Sequence, residues 1–90
     1  MTHLSLTDAA VRDAAVTTSA QTGTTTTLDV KRQLRREGYW AVQADVSRRV
    51  RRLAARERWP WWGLGRFRLY GVPRPGQLGL GVAGRAALVN

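Results

Sequence analysis

The most restrictive feature of this chain is the stretch at residues 34–53, "LRREGYWAVQADVSRRVRRL", where two arginine-rich segments meet across a glycine and a few apolar residues. Upstream, Val30 and Leu34 lie four apart on one face. Thr26 and Asp29 have capping-box spacing, and Gly38 supplies a stop, so a helix of about three turns is predicted over roughly residues 27–37. After the tight apolar connection "YWAV", the residues Val46, Val50, Leu53 and Ala54 follow an i, i+4, i+7, i+8 pattern. They predict a second helix that begins near Gln43 or Ala44 and cannot run past Pro60. At 100° per residue its opposite side carries Ala44, Arg48, Arg51, Arg52 and Ala55, with Ser47 at the edge and Arg49 and Arg56 as flanks.

Charge follows the same pattern. The 90 residues hold 15 Lys+Arg against 6 Asp+Glu, a formal charge of +9. Residues 1–27 contain one Arg and two Asp, whereas residues 28–70 contain twelve basic and four acidic side chains. Self-repulsion of that size destabilises a small domain, which points to a compensating anionic partner. All but one of the cations are arginine, suited to bidentate contact with phosphate or guanine. Solvated helix faces also carry arginines, but here the cluster coincides with a turn and a second basic segment.

Other chemistries are excluded by residue type. With no cysteine there are no disulfides or thiolate metal sites, and one histidine (His3) with six scattered carboxylates makes a zinc site or a His-based triad improbable. Asp29 and Glu37, at opposite ends of one helix, are too separated for paired acid–base work. The expectation is a non-enzyme without metal or cofactor. Lacking a secretory start or a membrane-length apolar run, it is expected in the cytoplasm, associated with the nucleoid.

The flanks complete the outline. Residues 4–18 predict an Ala-rich helix capped by Thr7, with Leu6, Ala10, Val11, Ala14 and Ala15 on one face. "TSAQTGTTTT" reads as a connector turning at Gly23, with room for one short extended segment. In "RWPWWGLGRFRLYGV" the residues Phe67 and Leu69 alternate with Arg66, Arg68 and Tyr70, predicting a hairpin with Gly63-Leu64-Gly65 at its tip. Pro60 confines its first strand to an edge. Trp59 and Trp61 then share one face and Trp62 takes the other, leaving at least one exposed for a base or a partner's pocket. Tyr39 and Trp40 are expected to pack at the turn. A domain over residues 1–71 precedes a Gly/Pro-rich tail, residues 72–90, expected to be mobile.

Helix, turn, helix and hairpin in this order make a small α+β winged helix-turn-helix domain of three helices and a two-stranded wing, with a flexible C-terminal tail. "LRREGYWAVQADVSRRVRRL" followed by "GRFRLY" resembles the DNA-binding domain of bacterial arginine repressors. Matching positions are Leu34, Gly38, Tyr39, Gln43, Ala44, Val46, Ser47, Arg48, Leu53, Gly65, Arg66, Phe67 and Tyr70, within residues 26–72. The resemblance implies that Gln43, Ser47 and Arg48 face the DNA groove and that Arg66 is the wing contact. Three departures accompany it. Val42 stands where that family favours a hydroxyl cap, a loss of about 1 kcal/mol. Asp45 puts a carboxylate in the first turn of the recognition helix. The arginine-binding oligomerisation domain has no counterpart in the glycine-rich tail, so the resemblance implies DNA binding without arginine sensing.

The expected function is that of a small bacterial transcriptional regulator or nucleoid-associated factor. It would read double-stranded DNA through Gln43, Ser47, Arg48, Arg49, Arg51, Arg52, Arg66 and Arg68, as a homodimer on a palindromic site, and with no membrane partner. Two alternatives bring in the tryptophans, the second together with the arginines. One is a protein-interaction module docking through Trp61 and Trp62, and the other is a single-stranded nucleic-acid binder.

Overall fold

In the computed structural model, which describes residues 3–73, the chain runs α1 (Asp8–Thr22), α2 (Thr27–Arg36), α3 (Gln43–Glu57), β1 (Trp61–Leu64) and β2 (Phe67–Tyr70). It is a small α+β domain: three helices and a two-stranded antiparallel hairpin. Local chemistry sets the helix starts. Thr7 accepts a hydrogen bond from the Ala10 amide at 3.1 Å, and Thr26 accepts one from the Asp29 amide at 3.2 Å. Each satisfies an amide that the helix itself leaves unbonded. Val42, at the same position of α3, offers no such acceptor.

The three helices bury one stripe each. Val11, Ala14 and Ala15 of α1, Val30 and Leu34 of α2, and Val46, Val50 and Leu53 of α3 are all fully buried. Every large aliphatic side chain among them contributes roughly 1.5–3 kcal/mol. The turn between α2 and α3 is closed by Gly38 at φ 94°, a conformation that disfavours any Cβ. The N-terminal segment reinforces that turn: the Leu4 amide donates to the Gly38 carbonyl at 3.0 Å, and the Trp40 amide donates to the Leu4 carbonyl at 3.3 Å.

The hairpin is held to the helices by its base. Thr25 and Tyr70 exchange two backbone hydrogen bonds, both 2.8 Å, so the extended segment expected near Gly23 is a single bridge at Thr25. The Thr25 hydroxyl meets that of Thr18 at 2.5 Å, which ties the bridge to α1. Tyr70 is the largest fully buried side chain and plugs the space between hairpin and helices.

Several expectations change. The first helix lies at 8–22 rather than 4–18, because its polar last turn finds internal partners. Thr18 donates to the Ala14 carbonyl at 3.0 Å, and Ser19 donates to the Gly23 carbonyl at 3.3 Å while accepting the Val72 amide at 3.2 Å. Gly23, at φ 91°, ends the helix four residues beyond the expected limit. The hairpin tip is Gly65-Arg66, not Gly63-Leu64-Gly65. Leu64 pairs with Phe67, and Gly65 alone takes a positive φ (61°), the pattern of a two-residue II′ turn.

Trp59 is not a strand residue facing the same way as Trp61. Arg58 adopts left-handed backbone (φ 58°, ψ 46°), which turns Trp59 into the core while Trp61 remains about half exposed. Trp40, expected to pack at the turn, is 58% exposed. Tyr39 and the fully buried Ala41 fill that corner instead. Val72, at the head of the expected tail, is buried in the core, and the rest of that tail from residue 74 lies outside the described residues.

Candidate nucleic-acid interface

α3 points its valines inward, so its arginines form the outer face of the domain. That face divides into two flanks with different electrostatics. On the flank nearest α1, Asp8 gathers three guanidinium groups: Arg49 at 2.8 Å, Arg52 at 2.9 Å and Arg56 at 3.7 Å. Asp8 occupies the first turn of α1, where the helix N-terminus also favours a carboxylate. The hydrogen bond from Arg52 holds its carboxyl below the usual carboxylate range; partial desolvation opposes this and the hydrogen bond from Arg49 adds to it. Lower on the same side, Arg12 of α1 pairs with Glu57 at 2.6 Å.

The other flank faces the hairpin. Gln43, Ser47 and Arg51 of α3, Arg66, Phe67, Arg68 and Tyr70 of the hairpin, and Thr26, Thr27 and Leu28 at the start of α2 line one groove of about 140 Å³. Among the described residues Arg51 and Arg66 form no ion pair, and both are exposed. A guanidinium without a carboxylate partner keeps all five donors for an incoming anion. Arg68 lies 3.9 Å from the ring centroid of Trp61, so its plane is braced on the aromatic face.

Arg48 stands at the outer crest of α3. Its nearest carboxylate is Asp45, which also meets Arg49 at 3.3 Å. The carboxylate in the first turn of α3 is thus matched by two guanidiniums of its own helix. The Arg48 side chain remains 69% exposed.

The residues expected to read DNA are therefore not one uniform patch. Gln43, Ser47, Arg51, Arg66 and Arg68 converge on the groove, and Arg48 crests the helix. Arg49 and Arg52 are drawn toward Asp8. Trp61 and Trp62 lie outside the groove, on β1, beside a wider and shallower depression of about 500 Å³ that also includes Arg51, Arg58 and Arg68. No local sequence signal brings the N-terminus of α2 to the groove. Thr26 marks that terminus in the sequence, but only the bridge from Thr25 to Tyr70 brings it beside the hairpin.

No helix among the described residues is long and apolar enough to cross a membrane. Comparison of the chain with protein-family models, with curated proteins and with solved structures gave no match.

Proposed function

We propose that this chain is a non-enzymatic winged helix-turn-helix protein that binds double-stranded DNA. In this reading α2 is the supporting helix, α3 enters the major groove and the β1–β2 hairpin is the wing. The observation that carries it is the convergence of Gln43, Ser47 and Arg51 with Arg66 and Arg68 on one groove that no described residue covers. Arginines at the groove and on the α3 crest neutralise phosphates, and these contacts fix register without reading sequence. Gln43 and Ser47 then meet base edges, glutamine being suited to the paired donor and acceptor of adenine. The arginines tethered to Asp8 stand behind this front and extend the positive field that steers a duplex toward it. The role is that of a small transcriptional regulator or nucleoid-associated factor in a bacterial cytoplasm.

The double variant Arg51→Glu, Arg66→Glu tests this directly. Both side chains are exposed and without ion-pair partners among the described residues, so folding should be unchanged by circular dichroism and thermal unfolding. Salt-sensitive retardation of duplex DNA should be strongly weakened, the loss of two phosphate contacts leaving a shallower dependence on salt. Retardation equal to wild type would end the DNA-binding reading. A second reading, protein docking through the hairpin, is favoured by the exposed side chains of Trp62 and Leu64, which lie outside the groove.

A further inference from the structure

Hairpin geometry gives β1 a distinctive outer edge. The Gly71 amide donates to the Pro60 carbonyl at 2.9 Å, while Tyr70 turns both backbone groups away from β1, toward Thr25. With Trp61 opposite Tyr70 and Leu64 opposite Phe67, these two observations fix the alternation of the ladder. Trp62 and Leu64 exchange hydrogen bonds with β2. Trp61 and Gly63 direct their N–H and C=O groups outward, where no described residue receives them. β1 carries no charged side chain, and Pro60 lies just outside it, so the usual protections of an edge are sparse. On the hairpin face away from Tyr70, Trp62 and Leu64 stand across from Leu69 and Phe67, an apolar surface in which Trp62, Leu64 and Phe67 are 53%, 60% and 59% exposed.

We infer that this edge is where two copies of the chain meet, β1 against β1 in antiparallel register about a two-fold axis at Trp62. A strand whose outward groups lie at positions 61 and 63 is self-complementary about position 62. Trp61 of each copy faces Gly63 of the other, giving four backbone hydrogen bonds, and the two Trp62 rings meet as a direct cross-strand aromatic pair. Gly63 leaves room for the opposing Trp61, since a Cβ at this position would itself meet nothing within 4 Å. Charge is consistent with the same edge: β1 itself carries no charged side chain, and the Arg68 guanidinium beside it is held over the Trp61 ring of its own copy. The exposed parts of Trp61, Trp62, Leu64 and Phe67 amount to roughly 400 Å² per copy on a scale of about 150–250 Å² per aromatic. That is about half of what a stable complex buries per partner, so the dimer is weak and concentration-dependent. This inference does not rest on DNA binding, and its test uses no DNA.

Sedimentation equilibrium of the full chain from micromolar to millimolar concentration should show the mass rising toward twice the monomer. Gly63→Pro removes only an outward amide and keeps the bonds to β2, so it should weaken association by about tenfold or more. Because the chain has no cysteine, Trp62→Cys places one thiol per copy at the two-fold axis, and mild oxidation should link it to its mate. Leu64→Cys, opposite residue 60 in this register, should not self-link. A wild-type protein that stays monomeric overturns the inference, as does a Gly63→Pro variant that associates like wild type. Equal cross-linking at positions 62 and 64 overturns the register.

Discussion

Asp8 controls how much of the positive face is free, since among the described residues it is the only carboxylate within reach of three α3 arginines. A phosphate approaching Arg49, Arg52 or Arg56 must compete with it. Asp8→Asn should therefore raise affinity for duplex DNA several-fold at low salt, while thermal stability at neutral pH falls. The pH dependence has a defined sign. The folded-state carboxyl is held below its ordinary value, chiefly by the hydrogen bond from Arg52. Its contribution to stability is complete above about pH 4, the ordinary aspartate value, and is lost as the pH falls through the lower folded value. Unfolding midpoints of wild type and Asp8→Asn should thus differ at pH 7 and converge in acid. A difference that persists unchanged to pH 2 would mean that Asp8 acts through packing rather than charge.

α3 is the element that presents the candidate interface, and it begins without a side-chain cap because Val42 has none to offer. Val42 is 45% exposed, so replacing it removes little buried surface. Val42→Ser should stabilise the domain by about 1 kcal/mol in chemical denaturation. No gain would show that the first α3 amides are already satisfied by solvent. Helices α2 and α3 were legible in the sequence because local signals coincided: Thr26 as cap, Gly38 as stop, and a valine–leucine stripe at 3.6-residue spacing. The end of α1 was not legible. Thr18 and Ser19 look like connector residues until Thr25, Gly23 and Val72, distant or differently folded, satisfy their hydroxyls. The tryptophans misled for a related reason. Period-two alternation starts only once a strand starts, and the left-handed Arg58 breaks the phase between Trp59 and Trp61. The outward arginine face followed from periodicity alone. Its division into an Asp8 flank and a hairpin flank depends on where α1 and β2 dock.

Considered as one body, the domain is a thin apolar core with a cationic front built from α3 and the hairpin. The proposed DNA contact centres on the groove and the proposed β1–β1 pairing on the outer edge of β1, with Phe67 bordering both, so a dimer would carry two such fronts on one duplex, as palindromic recognition requires. The claim on which the functional account depends is that the arginines around the groove meet a duplex. Titration of fluorescent duplex and single-stranded DNA across a series of salt concentrations measures this most directly. With about six phosphates neutralised, the log of the binding constant should fall against log salt with a slope of about −5, duplex should be preferred to single strand, and Arg51→Glu, Arg66→Glu should flatten the slope by about two. A binding constant indifferent to salt, or tighter binding to the single strand, would contradict it.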